Sequence, residues 1–253
     1  MKTLSYIALI FLLTLPASIS LYAQTVPDMV TDRPDQTESA VVVPLRSLQI
    51  ETGYTHMDTG NFTTDELPGT LLRYGLHERI ELRFAITGWV FDDASDENGF
   101  GDSEAGIKVR LYDESGMIPE AALLAGITLP TGEENFTSDE ADPRIRLAFA
   151  HTLSDRFSLG YNVAAEWNTI ADETELAVPY TCGLGIGLDD RFGTYVEFFG
   201  EFPEEGDSSH LFNTGVTYSI LTNLQADIEG GFGLNDEAPD WFAGAGLSVR
   251  IPR

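Results

Sequence analysis

Four histidines, 41 carboxylates and a single cysteine limit the chemistry open to this chain. The one stretch with the side chains of a hydrolytic site is Asp207-Ser208-Ser209-His210. Adjacent residues on one loop rarely converge as nucleophile, base and orienting acid, because those roles need separate, fixed positions. His77 falls in a short turn and His151 on an outward-facing register, so neither completes such a set. The sequence therefore predicts no enzyme. Cys182 alone excludes an intrachain disulfide and a thiolate metal cluster. Asp92-Asp93-Ala94-Ser95-Asp96-Glu97-Asn98 has the ligand types of a calcium loop but not the residue order of one. No metal site is expected there; divalent cations bridging the acidic loops is the alternative. No motif for a nucleotide or redox cofactor is present.

A different set of ionisable residues recurs at every second position inside otherwise apolar segments. Arg73, Glu81, Arg83, Glu104, Lys108, Arg110, Arg144, Arg146, Glu166, Glu197, Glu201, Asp227, Glu229 and Arg250 share one alternating face. Basic residues gather in the second, third, fourth and sixth segments, acidic ones in the seventh, ninth and eleventh. Opposed charges across a narrow pore create a transverse field and a selective constriction; salt bridges that simply fill the interior are the other reading. Tyr195, Phe199 and Phe242 fall on the same face and could form an apolar strip for an aromatic or acyl solute. A one-residue register slip would put them outside instead.

The elements that carry these residues are strands. Leu48, Ile50, Thr52 and Tyr54 alternate with Gln49, Glu51, Gly53 and Thr55; Phe157, Leu159, Tyr161 and Val163 alternate with Ser158, Gly160, Asn162 and Ala164. The same period of two recurs to Ile251, a strand signal rather than a helical one. Short turns such as 76–80, 153–157, 188–192 and 220–224 alternate with acidic connections at 57–69, 91–102, 131–142, 168–178, 203–210 and 234–240. With 112–119 in the turn series, five turns and six loops predict twelve antiparallel strands over residues 47–253. Short turns at one rim and long loops at the other is the layout of an up-and-down transmembrane barrel. A soluble sandwich or barrel would also alternate, but would bury its apolar face.

Residues 1–23 fit a cleaved secretory signal: Lys2, an apolar run from Leu4 to Leu15, then Pro16 and small residues up to Ala23. The run is shorter than the ~20 residues a spanning helix needs. The formal charge of −27 becomes −28 once Lys2 is lost, which excludes nucleic acid as a partner. Residues 24–46, with Pro34 and Pro44, are expected to be irregular. They could fold into the lumen as a plug, with Asp32, Arg33, Asp35 and Glu38 paired to wall charges; a disordered tail is the alternative.

Thr31-Asp32-Arg33-Pro34-Asp35-Gln36-Thr37-Glu38-Ser39, then Val43-Pro44 and Leu48-Gln49-Ile50-Glu51-Thr52-Gly53-Tyr54, resembles the start of the barrel family described as "putative MetA-pathway of phenol degradation". Leu129-Pro130-Thr131-Gly132 and the terminal Leu247 to Arg253 are similar to it as well. The resemblance implies an outer-membrane channel or transporter of a Gram-negative cell, taking up small hydrophobic or aromatic compounds. The partners expected are therefore outer-membrane lipid, lipopolysaccharide and a small solute. A non-conducting barrel with a structural or surface-binding role, acting through its acidic loops, is the alternative. The terminal Arg253 departs from the aromatic end common in such barrels.

Overall fold

The computed structural model describes residues 27–95, 97–170 and 173–252. The expected signal peptide and Arg253 lie outside these. The described residues contain strands and no helix. Twelve strands form the wall: β1 (Leu48–Asp58), β2 (Thr63–His77), β3 (Ile80–Ile86), β6 (Ser103–Tyr112), β7 (Glu120–Leu129), β8 (Pro143–Thr152), β9 (Phe157–Ile170), β10 (Glu173–Gly187), β11 (Phe192–Pro203), β12 (Ser209–Leu221), β13 (Leu224–Gly233) and β14 (Trp241–Ile251). Each pairs antiparallel with its neighbours, and β1 closes on β14 from Leu48↔Ile251 to Asp58↔Trp241. Two further strands, β4 (Trp89–Asp92) and β5 (Glu97–Phe100), form a hairpin that adds to the loop end of β2.

Closure removes the edges of the twelve wall strands, so the wall needs no backbone partner from outside. What faces outward decides the solvent. Glu197 is 0% exposed, whereas its neighbours on β11, Val196 and Phe198, are 37% and 52% exposed. Ile228 and Leu247 face out in the same way, between the inward Asp227, Glu229 and Ser248. This is inverted relative to a water-soluble barrel, and it excludes the sandwich and the soluble barrel. Trp167, Phe202, Phe232 and Trp241 ring the loop end of the outer surface. Tyr74, Phe157, Phe192 and Tyr218 ring the turn end, with Phe192 and Tyr218 stacked 4.6 Å apart. Two aromatic girdles flanking an apolar band mark a membrane-spanning barrel.

The acidic connections differ from their expected extent. Within 57–69, β1 continues to Asp58 and β2 begins at Thr63; within 168–178, β9 runs to Ile170 and β10 starts at Glu173. These strands project past the girdle, where both faces meet water. Alternation therefore lapses while the ladder continues. Residues 91–102 likewise include the end of β4 and all of β5.

Residues 27–47 precede β1 and do not line the outside. Pro27 and Asp28 sit at the turn end of β14, and Leu45 bridges to Gly75 at the turn end of β2. Between these points the chain rises into the barrel and returns, burying Asp32, Thr37, Ala40, Val42 and Val43.

Candidate functional site

The inward side chains of β1, β2, β3 and β6 meet this segment in one ionic cluster. Arg73 is fully buried and bonds Glu81 (Nε to Oε1, 2.8 Å), Glu51 (2.9 Å) and Asp32 (3.1 Å). Arg83 reaches Asp32 at 2.6 Å and Glu38 at 2.7 Å. Lys108 Nζ lies 2.8 Å from Asp32 Oδ2 and donates to the Ser39 carbonyl at 2.9 Å. Three cations thus face four carboxylates, Asp32, Glu38, Glu51 and Glu81, so the cluster is close to neutral. Burying such charges is costly unless each is paired and hydrogen-bonded, and here each is. Burial opposes ionisation of Asp32, but Arg73, Lys108 and Arg83 outweigh it and hold its carboxyl well below the usual range.

The segment's backbone is held by the same walls. Glu51 Oε2 accepts from the amides of Asp32 and Arg33 at 2.9 and 3.0 Å, and Glu81 Oε2 accepts from Val43 N at 2.8 Å. Asn162 on β9 accepts from Glu38 N and donates to Glu38 O, at 2.7 and 3.0 Å. Glu197 on β11 accepts from Gln36 N at 3.0 Å and from the Thr37 hydroxyl at 2.5 Å. Arg250 donates to the carbonyls of Pro27 and Asp28. An irregular segment inside a barrel must find partners for its peptide groups, and the wall supplies them from every side.

The opposite wall is acidic. Arg33 pairs with Asp227 on β13 at 3.2 Å, and Glu229 accepts from Asn213 at 3.3 Å. Asp35 lies beside Glu197 and Glu229 and forms no ion pair among the described residues. Burial, then the charge of Glu197, pushes its carboxyl well above the usual range.

The remaining charges on the inward face lie apart from both groups. Glu104 pairs with Arg144 at 2.9 Å and Arg146 with Glu166 at 3.0 Å. Arg110 sits at the turn rim against Asp113, and Glu201 is exposed at the loop rim.

One cavity lies directly on the segment, and another lies at the turn end of the lumen. The vestibule on the loop side, of about 570 Å³, has residues 32–36 and Glu38 as its floor and reaches Glu201, Ser209 and Pro239 at the rim. A second, of about 340 Å³, opens between Ser158, Gly185, Gly193 and Tyr195 on the turn side. The three aromatic residues of the expected strip are split between them. Phe199 and Phe242 meet edge to face at 6.0 Å and pack with Leu211, Ala238 and Met57 in the vestibule wall. Tyr195 is buried lower down, its hydroxyl accepting from Asn213.

Glu51, Gln49, Asn162, Thr37, Asn213 and Gln225 were not singled out by sequence. All but Thr37 share the inward parity of Glu81 and Asp227, the signal that could have found them.

Ser208 and His210 do meet, Oγ to Nε2 at 3.0 Å, but the second ring nitrogen bonds Tyr180 at 2.9 Å and not Asp207. The acidic loop at 92–98 spends its described carboxylates on local bonds: Asp92 to Ala94 N, Asp93 to Thr63, Glu97 to Asn135. Asp96 lies outside the described residues.

A closed antiparallel barrel with an apolar belt outside and an ionic interior is an outer-membrane β-barrel protein. The chain belongs to the family described as "Putative MetA-pathway of phenol degradation", which matches residues 31–251 and so includes most of the lumenal segment. Among solved structures it is similar to a COG4313 outer membrane channel from Pseudomonas putida F1, with 14% identity, TM-score 0.67, and 83% of this chain and 97% of that one covered. It is also similar to the NanC porin (8% identity, TM-score 0.56, 80% and 98% covered) and the KdgM porin (11%, 0.53, 79% and 98%). No curated protein matches it by sequence.

Proposed function

We propose that this chain is a channel for small solutes, hydrophobic or aromatic ones among them, whose resting conduit is closed by residues 27–47. The observation that carries the reading is the vestibule, which reaches the loop rim and is floored by residues 32–36 and Glu38. A solute enters the vestibule from the loop rim, and the segment must shift before it passes to the turn side. The paired charges of Arg73, Arg83 and Lys108 serve as the latch, while Glu104, Arg144, Arg146 and Glu166 line the side of the passage. Family membership supports the aromatic part of the reading, and the apolar wall at Phe199 and Phe242 supports it independently.

Liposome swelling with purified, refolded full chain tests this, using small sugars and benzyl alcohol in parallel. Swelling with benzyl alcohol alone supports an aromatic channel; swelling with both makes it a general pore. No swelling from protein shown to be folded by heat-shifted electrophoretic mobility overturns the channel. The barrel would then be a structural or surface-binding one, its acidic loops and any divalent cations they bridge carrying the role.

A further inference from the structure

We infer that the vestibule is a binding site for an organic cation with an aromatic or otherwise apolar body. The inference deepens the channel reading and rests on it. One wall of the cavity is apolar: Met57, Leu211, Phe199 and Phe242, with the two phenyl rings edge to face. The other wall is lined by ionisable side chains, and not all of them have a partner. Arg33 and Arg146 are already matched by Asp227 and Glu166. Asp32 and Glu38, in the floor, are matched by the cations below them. That leaves Asp35, Glu201 and Glu229, all lining the same cavity and none forming an ion pair among the described residues.

Each feature narrows the ligand. Unpaired carboxylates in a confined space favour a positive charge and oppose a negative one. Aromatic faces attract the same charge through their quadrupole. A bare metal ion would not use the apolar wall, and no three His, Cys, Asp or Glu side chains converge to hold one among the described residues. The volume of about 570 Å³ suits a small molecule rather than an ion. Asp35 agrees with this: burial, with Glu197, Asp32 and Glu229 nearby, raises its carboxyl well above the usual range. In the absence of a cation that carboxyl holds a proton more readily than an ordinary aspartate.

Isothermal titration of full chain in detergent with benzylammonium, benzyl alcohol and benzoate tests the inference, because the three share a ring and differ in charge. Benzylammonium should bind at least roughly tenfold more tightly than benzyl alcohol, an advantage of about 1.4 kcal/mol, with benzoate weakest. Glu229→Gln should abolish most of that advantage while leaving benzyl alcohol unchanged, and Phe199→Ala should weaken both. Should Glu229→Gln fail to fold, Glu201→Gln, at an exposed rim position, should reduce the advantage in part. Equal binding of all three, or an advantage indifferent to both Gln variants, overturns the inference. Swelling is the separate readout. Swelling without charge-selective binding leaves the channel and removes the cation site; charge-selective binding without swelling removes the channel alone.

Discussion

The ammonium of Lys108, on β6 and fully buried, lies 2.8 Å from the carboxylate of Asp32, a residue 76 positions earlier that belongs to no strand. Asp32 Oδ2 takes Arg83 as well, at 2.6 Å. With Arg73 at 3.1 Å, one carboxylate therefore joins the lumenal segment to three strands, β2, β3 and β6. Removing one partner from a buried ionic group costs about 3–5 kcal/mol. Asp32→Asn keeps the volume and removes the charge, leaving three cations facing Glu38, Glu51 and Glu81. The barrel ladder does not depend on Asp32, so the loss should fall on the segment. The expected outcome is a folded barrel, with unchanged heat-shifted mobility, and solute swelling several-fold faster than wild type. Unchanged swelling would mean that the segment is not gated by this contact.

Gly75 is where the segment leaves the lumen. A Cβ there would stand 2.5 Å from the Val43 carbonyl oxygen and 2.7 Å from the Pro44 carbonyl carbon, both backbone atoms. Gly75→Ala must therefore push residues 43–46 off β2. Val42 is buried in the wild type, so a Val42→Cys probe in a Cys182→Ser background should react slowly with a charged maleimide. Adding Gly75→Ala should speed that reaction markedly. Equal rates would show that the exit path adapts without exposing the segment.

How much of this was legible follows from what each residue faces. Leu82 beside Arg83, and Phe198 beside Glu197, meet different solvents, and a period of two records that contrast directly. Twelve wall strands and the inward parity of Glu81, Lys108 and Asp227 come from it. The contrast ends above the membrane: Thr63–Glu66 and Glu173–Glu175 meet water on both sides, so acidic strands read as loops. That Asp32 would meet wall charges belongs to the plug expectation, but that those charges are Arg73, Arg83 and Lys108 was beyond the pattern. It depends on the path of an irregular segment, which periodicity does not encode. Glu51 was visible on the polar face of the first strand, yet nothing local distinguished a residue that holds two segment amides from one that merely faces the lumen.

Asp102 gives the loop rim a pH dependence. Its Oδ1 accepts from Thr131 N and Gly132 N at 2.9 and 2.7 Å, and its Oδ2 from Ser138 N at 3.0 Å. Partial burial opposes ionisation, but the bonds from Ser138 and Gly132, with those from Thr137 and Thr131, outweigh it and lower the pKa below 3.8. A depressed carboxylate contributes stability that is complete above the unfolded value and lost as pH falls through the folded one. The loop 131–138 should therefore show high amide protection factors at neutral pH, taken against the intrinsic rate at each pH, and lower ones once pH drops below about 4. Asp102→Asn should show the low protection factors at every pH. Protection that persists in that variant at neutral pH would assign the loop's order to other contacts.

Glu197 and Phe198 offer the sharpest test of which side of this wall is lipid. They are adjacent on β11 and differ by 52 percentage points in exposure, the charged one being inside. Phe198 packs outward against Phe212 at 5.1 Å, whereas Glu197 holds Gln36 and Thr37. A cationic side chain on the lipid face near the midplane costs about 2–4 kcal/mol, so Phe198→Arg should sharply reduce folding into vesicles, read as loss of the heat-shifted band. On a soluble barrel an arginine at a half-exposed outer position would cost little. Glu197→Gln changes the charge one residue away without presenting it to lipid, and should insert normally while loosening residues 36–37. If both variants inserted equally well, β11 would not have lipid on its Phe198 face, and the inverted arrangement of the whole wall would fail with it.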